Sequence, residues 1–149
     1  MSKLILEIKP NKGLGNISFG TITRDLITLL GDPNTVEEIT NDDDLKTTIL
    51  SYDFGLTVFV EGLVDPVVSH FDLDNKNATL FGAVVFDLDE TAIIDLMKEN
   101  GFSIIEKEEE EWGETRVTFD EAMMDFYFED KKLVAVNWGV AVAEDGSIV

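Results

Sequence analysis

The segment VVFDLDETAII, Val84–Ile94, sets two carboxylates, Asp87 and Asp89, at alternate positions after an apolar run, with Thr91 two residues further on. Aspartates so placed have two readings. They can serve a phosphotransfer reaction, or they can open a helix. In the second case Asp89 accepts hydrogen bonds from the first free helix N–H groups, and Glu90 lies at the positive end of the helix dipole. Few other residues offer chemistry. His70 is the single histidine, stands in a strand-like run and has no serine or cysteine motif beside it. KGLGNISFG (Lys12–Gly20) has three glycines, but at the spacing of neither a P-loop nor a dinucleotide fingerprint. DLDNKN from Asp72 begins like a calcium loop. It then has Lys76 at the fifth position, Asn77 where the turn glycine belongs and Ala83 where a bidentate glutamate would close it. The residues therefore point to no catalytic group, no metal site and no cofactor.

The elements that must carry these residues are legible from periodicity. Lys3–Ile8 alternates like a strand, and KPNKGLGN (Lys9–Asn16) is a loop. Thr23–Leu30 holds Leu26, Ile27, Leu29 and Leu30 at helical spacing, and Gly31 with Asp32-Pro33 stops the helix. From Leu45 the period becomes two. Thr47–Tyr52, Leu56–Val60 and Pro66–Phe71 read as strands parted by turns. A second helix over Thr91–Asn100 ends at Gly101. Thr115–Asp120, Met123–Phe128 and Leu133–Gly139 read as three more strands. Between them, Glu108–Glu111 is a run of four acids followed by Trp112-Gly113, placed by charge repulsion at a solvated hairpin tip.

Sliding the chain by 67 residues lays Phe19–Leu30 on Phe86–Met97 and Tyr52-Asp53 on Phe119-Asp120. With a shift of 68, Leu56–Gly62 falls on Met124–Asp130 and Phe59 on Tyr127. Hydrophobic class and element order match, so the expectation is an internal duplication with pseudo-repeats at about 17–71 and 84–139 in a single domain, 1–149.

The charge is uneven. The chain carries 31 Asp and Glu against 11 Lys and Arg, a net charge of −20, and residues 1–40 contribute only four bases and five acids to it. Such a surface repels nucleic acid and anionic membrane, and it favours a basic protein as partner. No cysteine is present, so disulfides, thiolate metal sites and cysteine nucleophiles are excluded. The start, MSKLILEIKP, lacks the run and cleavage site of a signal peptide, and no stretch reaches the roughly 18 apolar residues of a membrane span. The expectation is a cytoplasmic protein.

Two resemblances add to this reading. DLDET resembles the first motif of the haloacid dehalogenase superfamily, which implies Asp87 as nucleophile on a phosphoryl group, Asp89 as acid and base, and Mg²⁺ between them. This Mg²⁺-dependent phosphatase is the alternative function. The sixty-two residues after Asp87 read as antiparallel hairpins, whereas parallel strands need crossovers of about a dozen residues. Lys131-Lys132 also follow Glu129-Asp130, the reverse of that family's order. NISFGTITRDLITLLGDP (Asn16–Pro33), followed by a tyrosine-bearing strand, is similar to the repeat unit of the β-lactamase inhibitory protein type. Small outer-membrane assembly lipoproteins share that unit. The resemblance implies an α+β fold in which two tandem helix-plus-three-strand units form a mainly antiparallel curved sheet, with helices on one side and a concave face that grips a protein.

Without cysteine, neither that family's disulfides nor a lipid attachment can form. Small acidic proteins of this kind also resemble immunity proteins, which neutralise a toxin domain. The expected function is thus non-enzymatic: an inhibitor or immunity protein for a basic toxin or enzyme domain, of unstated oligomeric state. The alternation sets Phe59 beside Glu61 on one strand, and Tyr127 between Asp125 and Glu129 on another. An aromatic among acids on a solvated face suits a basic partner. Phe59, Glu61, Trp112, Asp125, Tyr127 and Glu129 are the candidate contact residues.

Overall fold

Fifteen regular elements follow one another along the chain in a computed structural model that describes residues 5–40, 46–62, 65–111, 113–143 and 147–148. They are β1 (Glu7–Lys9), β2 (Gly13–Leu14), β3 (Ile17–Ser18), α1 (Thr23–Leu30), β4 (Thr35–Thr40), β5 (Lys46–Tyr52), β6 (Leu56–Gly62) and β7 (Val67–Leu73). Then come β8 (Thr79–Leu80), β9 (Ala83–Val84), α2 (Glu90–Glu99), β10 (Ile105–Glu109), β11 (Glu114–Phe119), β12 (Met124–Glu129) and β13 (Lys132–Gly139). Among the described residues the protein is mainly β, with two α-helices and two sheets.

Each helix is followed by four antiparallel strands, not the three expected. The extra strands are β4 and β10. Both lie at sheet edges, and their glutamates hide the period of two. The acid run is divided accordingly: Glu108 and Glu109 belong to β10, and the turn begins at Glu110, whose N–H donates to the Glu114 carbonyl at 2.7 Å. The large sheet runs β10-β11-β12-β13-β7-β6-β5-β4. All neighbours within each half are hairpin partners, and the halves meet where β13 pairs antiparallel with β7. The small sheet runs β3-β2-β1-β8-β9, with β1 parallel to β8.

Helix α1 stops at Gly31, which takes φ 82° and donates its N–H to the Ile27 carbonyl at 2.7 Å. A side chain would be strained there. The Tyr52 hydroxyl then ties β5 to the helix end by donating to the Gly31 carbonyl at 2.9 Å. At α2, Asp89 caps the helix as its sequence position suggests: its Oδ1 accepts from the Ala92 N–H at 2.8 Å.

One face of the large sheet is covered. Leu50, Val58, Phe71, Val117, Phe126 and Trp138 from six of its strands join a buried cluster with Leu26 of α1 and with Ile93 and Met97 of α2. Phe71 and Trp138 face each other across the β7–β13 seam, with ring centroids 5.3 Å apart. The Trp138 indole donates to the Gly13 carbonyl at 3.0 Å, which ties the large sheet to the small one. Burial of aromatic rings on this scale, with the Trp138 N–H satisfied, dominates the stabilisation of such a core.

Two β-bulges interrupt the large sheet. Phe59 opposes His70 and Val60 opposes Val68, which leaves Ser69 as the extra residue of β7. Tyr127 opposes Ala135 and Phe128 opposes Leu133, which leaves Val134 as the extra residue of β13. Ser69 is fully buried, and its hydroxyl donates to the Phe59 carbonyl at 3.3 Å. No helix among the described residues is long and apolar enough to cross a membrane.

Candidate functional site

The second face of the large sheet has no layer of described residues burying it. In β6 and β12 burial alternates strictly. Leu56, Val58, Val60, Met124, Phe126 and Phe128 are buried, while Thr57, Phe59, Glu61, Asp125 and Tyr127 are half-buried and Glu129 is exposed. The candidate residues Phe59, Glu61, Asp125, Tyr127 and Glu129 therefore share this open face. Trp112 lies outside the described residues.

Register defines the face further. One unbroken row crosses all eight strands: Glu106, Thr118, Asp125, Asn137, Asp72, Thr57, Ser51 and Thr35. Every member is polar. Asp72 and Asn137 form the central pair, and the Thr118 hydroxyl hydrogen-bonds to Asp125. Phe59 and Tyr127 stand one step off this row in opposite directions. Standard sheet spacings put them about 14 Å apart across the strands and about 13 Å apart along them. The two aromatics thus bracket the Asp72–Asn137 centre diagonally instead of forming one cluster.

Around Phe59, the bulge at Ser69 aims His70 onto the open face. The two rings meet edge to face, with centroids 6.3 Å apart. His70 Nδ1 lies 3.0 Å from the Ser69 hydroxyl and 4.0 Å from a Glu61 carboxylate oxygen. Burial pushes the His70 pKa below its ordinary value, against the opposing pull of Glu61 and Asp125. Around Tyr127, Arg116 is the direct cross-strand neighbour and pairs with Glu108. Burial raises the Tyr127 phenol, reinforced by Asp125. Burial also raises the Asp72 carboxyl, which the Asn137 hydrogen bond partly offsets.

The balance on this face is strongly anionic. Glu61, Asp72, Glu106, Glu108, Glu114, Asp125 and Glu129 face Arg116 and the edge lysine Lys132. Glu114 and Glu129 are direct cross-strand partners, and Lys132 opposes Glu129 from the other side. Chemically, the face can hold cationic groups beside either aromatic ring.

Asp87 and Asp89 lie elsewhere. Asp87 ends a short 3-10 turn over Val85–Asp87, and both aspartates line a groove of about 400 Å³ with Lys76, Lys131 and Lys132. Among the described residues no group of three or more His, Cys, Asp or Glu side chains is placed to hold a metal ion.

Sequence reasoning missed His70, Asp72, Arg116 and Asn137 as members of the open face. A usable signal exists for two of them: in VVSHFDL, His70 and Asp72 alternate with Phe71 and Leu73. Their meeting with β13 depends on the pairing of strands from separate halves, which no local pattern encodes.

No family model matches the chain. No curated protein matches it. Among solved structures, the chain is similar to an extracellular protein containing a SCP domain from Bacillus anthracis str. Ames, with a TM-score of 0.44 and 15% identity over 89% of this chain and 49% of that one. The chain spans about half the length of that protein.

Proposed function

We propose that this protein is a non-enzymatic binding module, an inhibitor or immunity protein of the cytoplasm, that holds a basic toxin or enzyme domain on the open face of its large sheet. One observation carries the reading. Phe59 and Tyr127 stand on that face among Glu61, Asp125, Glu129 and the opposed pair Glu114–Glu129. Acids crowd this face, and a cationic partner would relieve their mutual repulsion.

The two halves are a tandem repeat in this reading, each a two-strand hairpin, a helix and four strands, and their sheet curves to present a gripping surface. The bulges support it, since Phe59/Val60 and Tyr127/Phe128 are separated by the same 68 residues that align β6 with β12. A two-fold repetition would set equivalent aromatics at opposite corners of one face.

The test is affinity capture from the source cell at low and raised salt. A basic protein retained at low salt and released more readily as salt rises is the expected result. Recovery of only acidic or neutral partners, bound without salt dependence, would overturn the reading.

A further inference from the structure

The two outer edges of the large sheet differ. At one edge, four of the five residues of β10 are charged, Glu106, Lys107, Glu108 and Glu109, and charged edges resist further pairing. Lys107 opposes Val117 and reaches over the trough beside α2 to pair with Glu90 at 3.1 Å. At the other edge, β4 is TVEEIT, exposed along its whole length, with no lysine, proline or bulge. Val36 opposes Leu50 there as Lys107 opposes Val117. Instead of an ion pair, an open groove of about 620 Å³ lies beside α1, floored by Ile27, Pro33, Val36, Leu50 and Val60. Asp32 and Glu38 also line it. Among the described residues, no Lys or Arg forms an ion pair with Asp32, Glu37 or Glu38.

We propose that the outer edge of β4 docks an extended partner segment of alternating basic and apolar side chains, added as a ninth strand of the sheet. Main-chain hydrogen bonds to the unpaired edge supply affinity, and alternate side chains supply selection. Apolar side chains on the covered side enter the groove beside Val36, and on the opposite side a cationic one meets Glu37. A second copy fits poorly. A two-fold antiparallel pairing keeps equivalent faces together, so the registers of greatest overlap centre on Glu37 or Glu38 and set that glutamate against its own copy. This edge borders the open face, on which Glu37 lies in line with Ile49 and Phe59, but the proposal does not rest on the function assigned to that face.

The probe is a fluorescein-labelled, end-blocked peptide of alternating lysine and valine. Controls are the same peptide with proline at every second valine, which cannot complete a strand, and one with glutamate for lysine. Fluorescence anisotropy should show saturable binding of the first peptide only. Val36→Lys gives β4 the charge that Lys107 gives β10, and Glu37→Lys reverses the charge that the probe's lysines meet. Each should weaken binding about tenfold or more, with thermal melting used to confirm folding. Amide exchange should slow at residues 35–40 in the complex. Absent saturable binding, equal binding of the proline peptide, indifference to both substitutions, or protection confined to β10–β13 would each overturn the proposal.

Discussion

The His70 imidazole occupies the space that a β-carbon on Gly139 would need: such an atom would overlap the ring at Cδ2 and Cγ. The two residues are direct partners across the β7–β13 seam, so the absent side chain on one half makes room for the ring from the other. Gly139→Ala should cost about 1–3 kcal/mol, the usual penalty of overpacking. In a His70→Ala background the same substitution should cost under about 0.5 kcal/mol, since the clash is gone. Urea unfolding of the four proteins measures this cycle, and equal costs in both backgrounds would contradict it.

His70 also sets a pH dependence. Burial holds its folded pKa below the ordinary 6.5. The unfolded chain then binds the proton more readily, so stability falls as pH drops through about 6.5 and towards the folded value. Asp72 works in the opposite sense. Its carboxyl is held above the ordinary 3.8, so its contribution is present in acid and lost as pH rises through the folded value. His70→Gln should flatten the fall below about pH 6.5. An unchanged pH profile of unfolding in that variant would show that another group governs it.

Asp89 has a structural task. Its side chain satisfies the Ala92 N–H at the start of α2. Asp89→Ala should cost about 1 kcal/mol, and Asp89→Asn or Asp89→Ser should restore most of it. Asp87→Asn should leave stability nearly unchanged. Hydrolysis of a generic phosphate ester with Mg²⁺, abolished by Asp87→Asn, would instead give this pair a catalytic role.

Charge and ring should separate on the open face. Asp125→Lys with Glu129→Lys should mainly slow association with a basic partner. Tyr127→Ala should mainly raise the dissociation rate, by about tenfold if the ring is worth ~1.4 kcal/mol. Surface plasmon resonance at two salt concentrations resolves the two rates. Loss of salt dependence without loss of affinity in the charge-reversed protein would remove electrostatic steering from the account.

Much of this fold is written in local pattern. LTVFVEG shows β6 by strict alternation, and TRDLITLL before Gly31 gives α1 its observed limits. TVEEIT and IEKEE do not show themselves, because an edge strand has too little covered area to impose a period on its residues. The open face was legible by halves. Alternation assigns Phe59 and Tyr127 to the uncovered side of their own strands. It cannot say that both strands belong to one sheet, nor that Asp72 meets Asn137 at its centre. Those facts belong to long-range pairing, where propensity is silent.

The seam has a kinetic consequence. Every pairing within either half of the large sheet joins strands adjacent in sequence, whereas His70–Gly139 and Phe71–Trp138 close contacts across more than sixty residues. Loop-closure entropy delays such contacts, so the expected order is two hairpin meanders first and their docking last. Cutting the chain in the exposed turn at Asn75–Asn77 then leaves two fragments that carry complementary halves of a single core. Their reassembly would be read by Trp138, whose indole reaches the Gly13 carbonyl and the Phe71 ring only when both fragments combine.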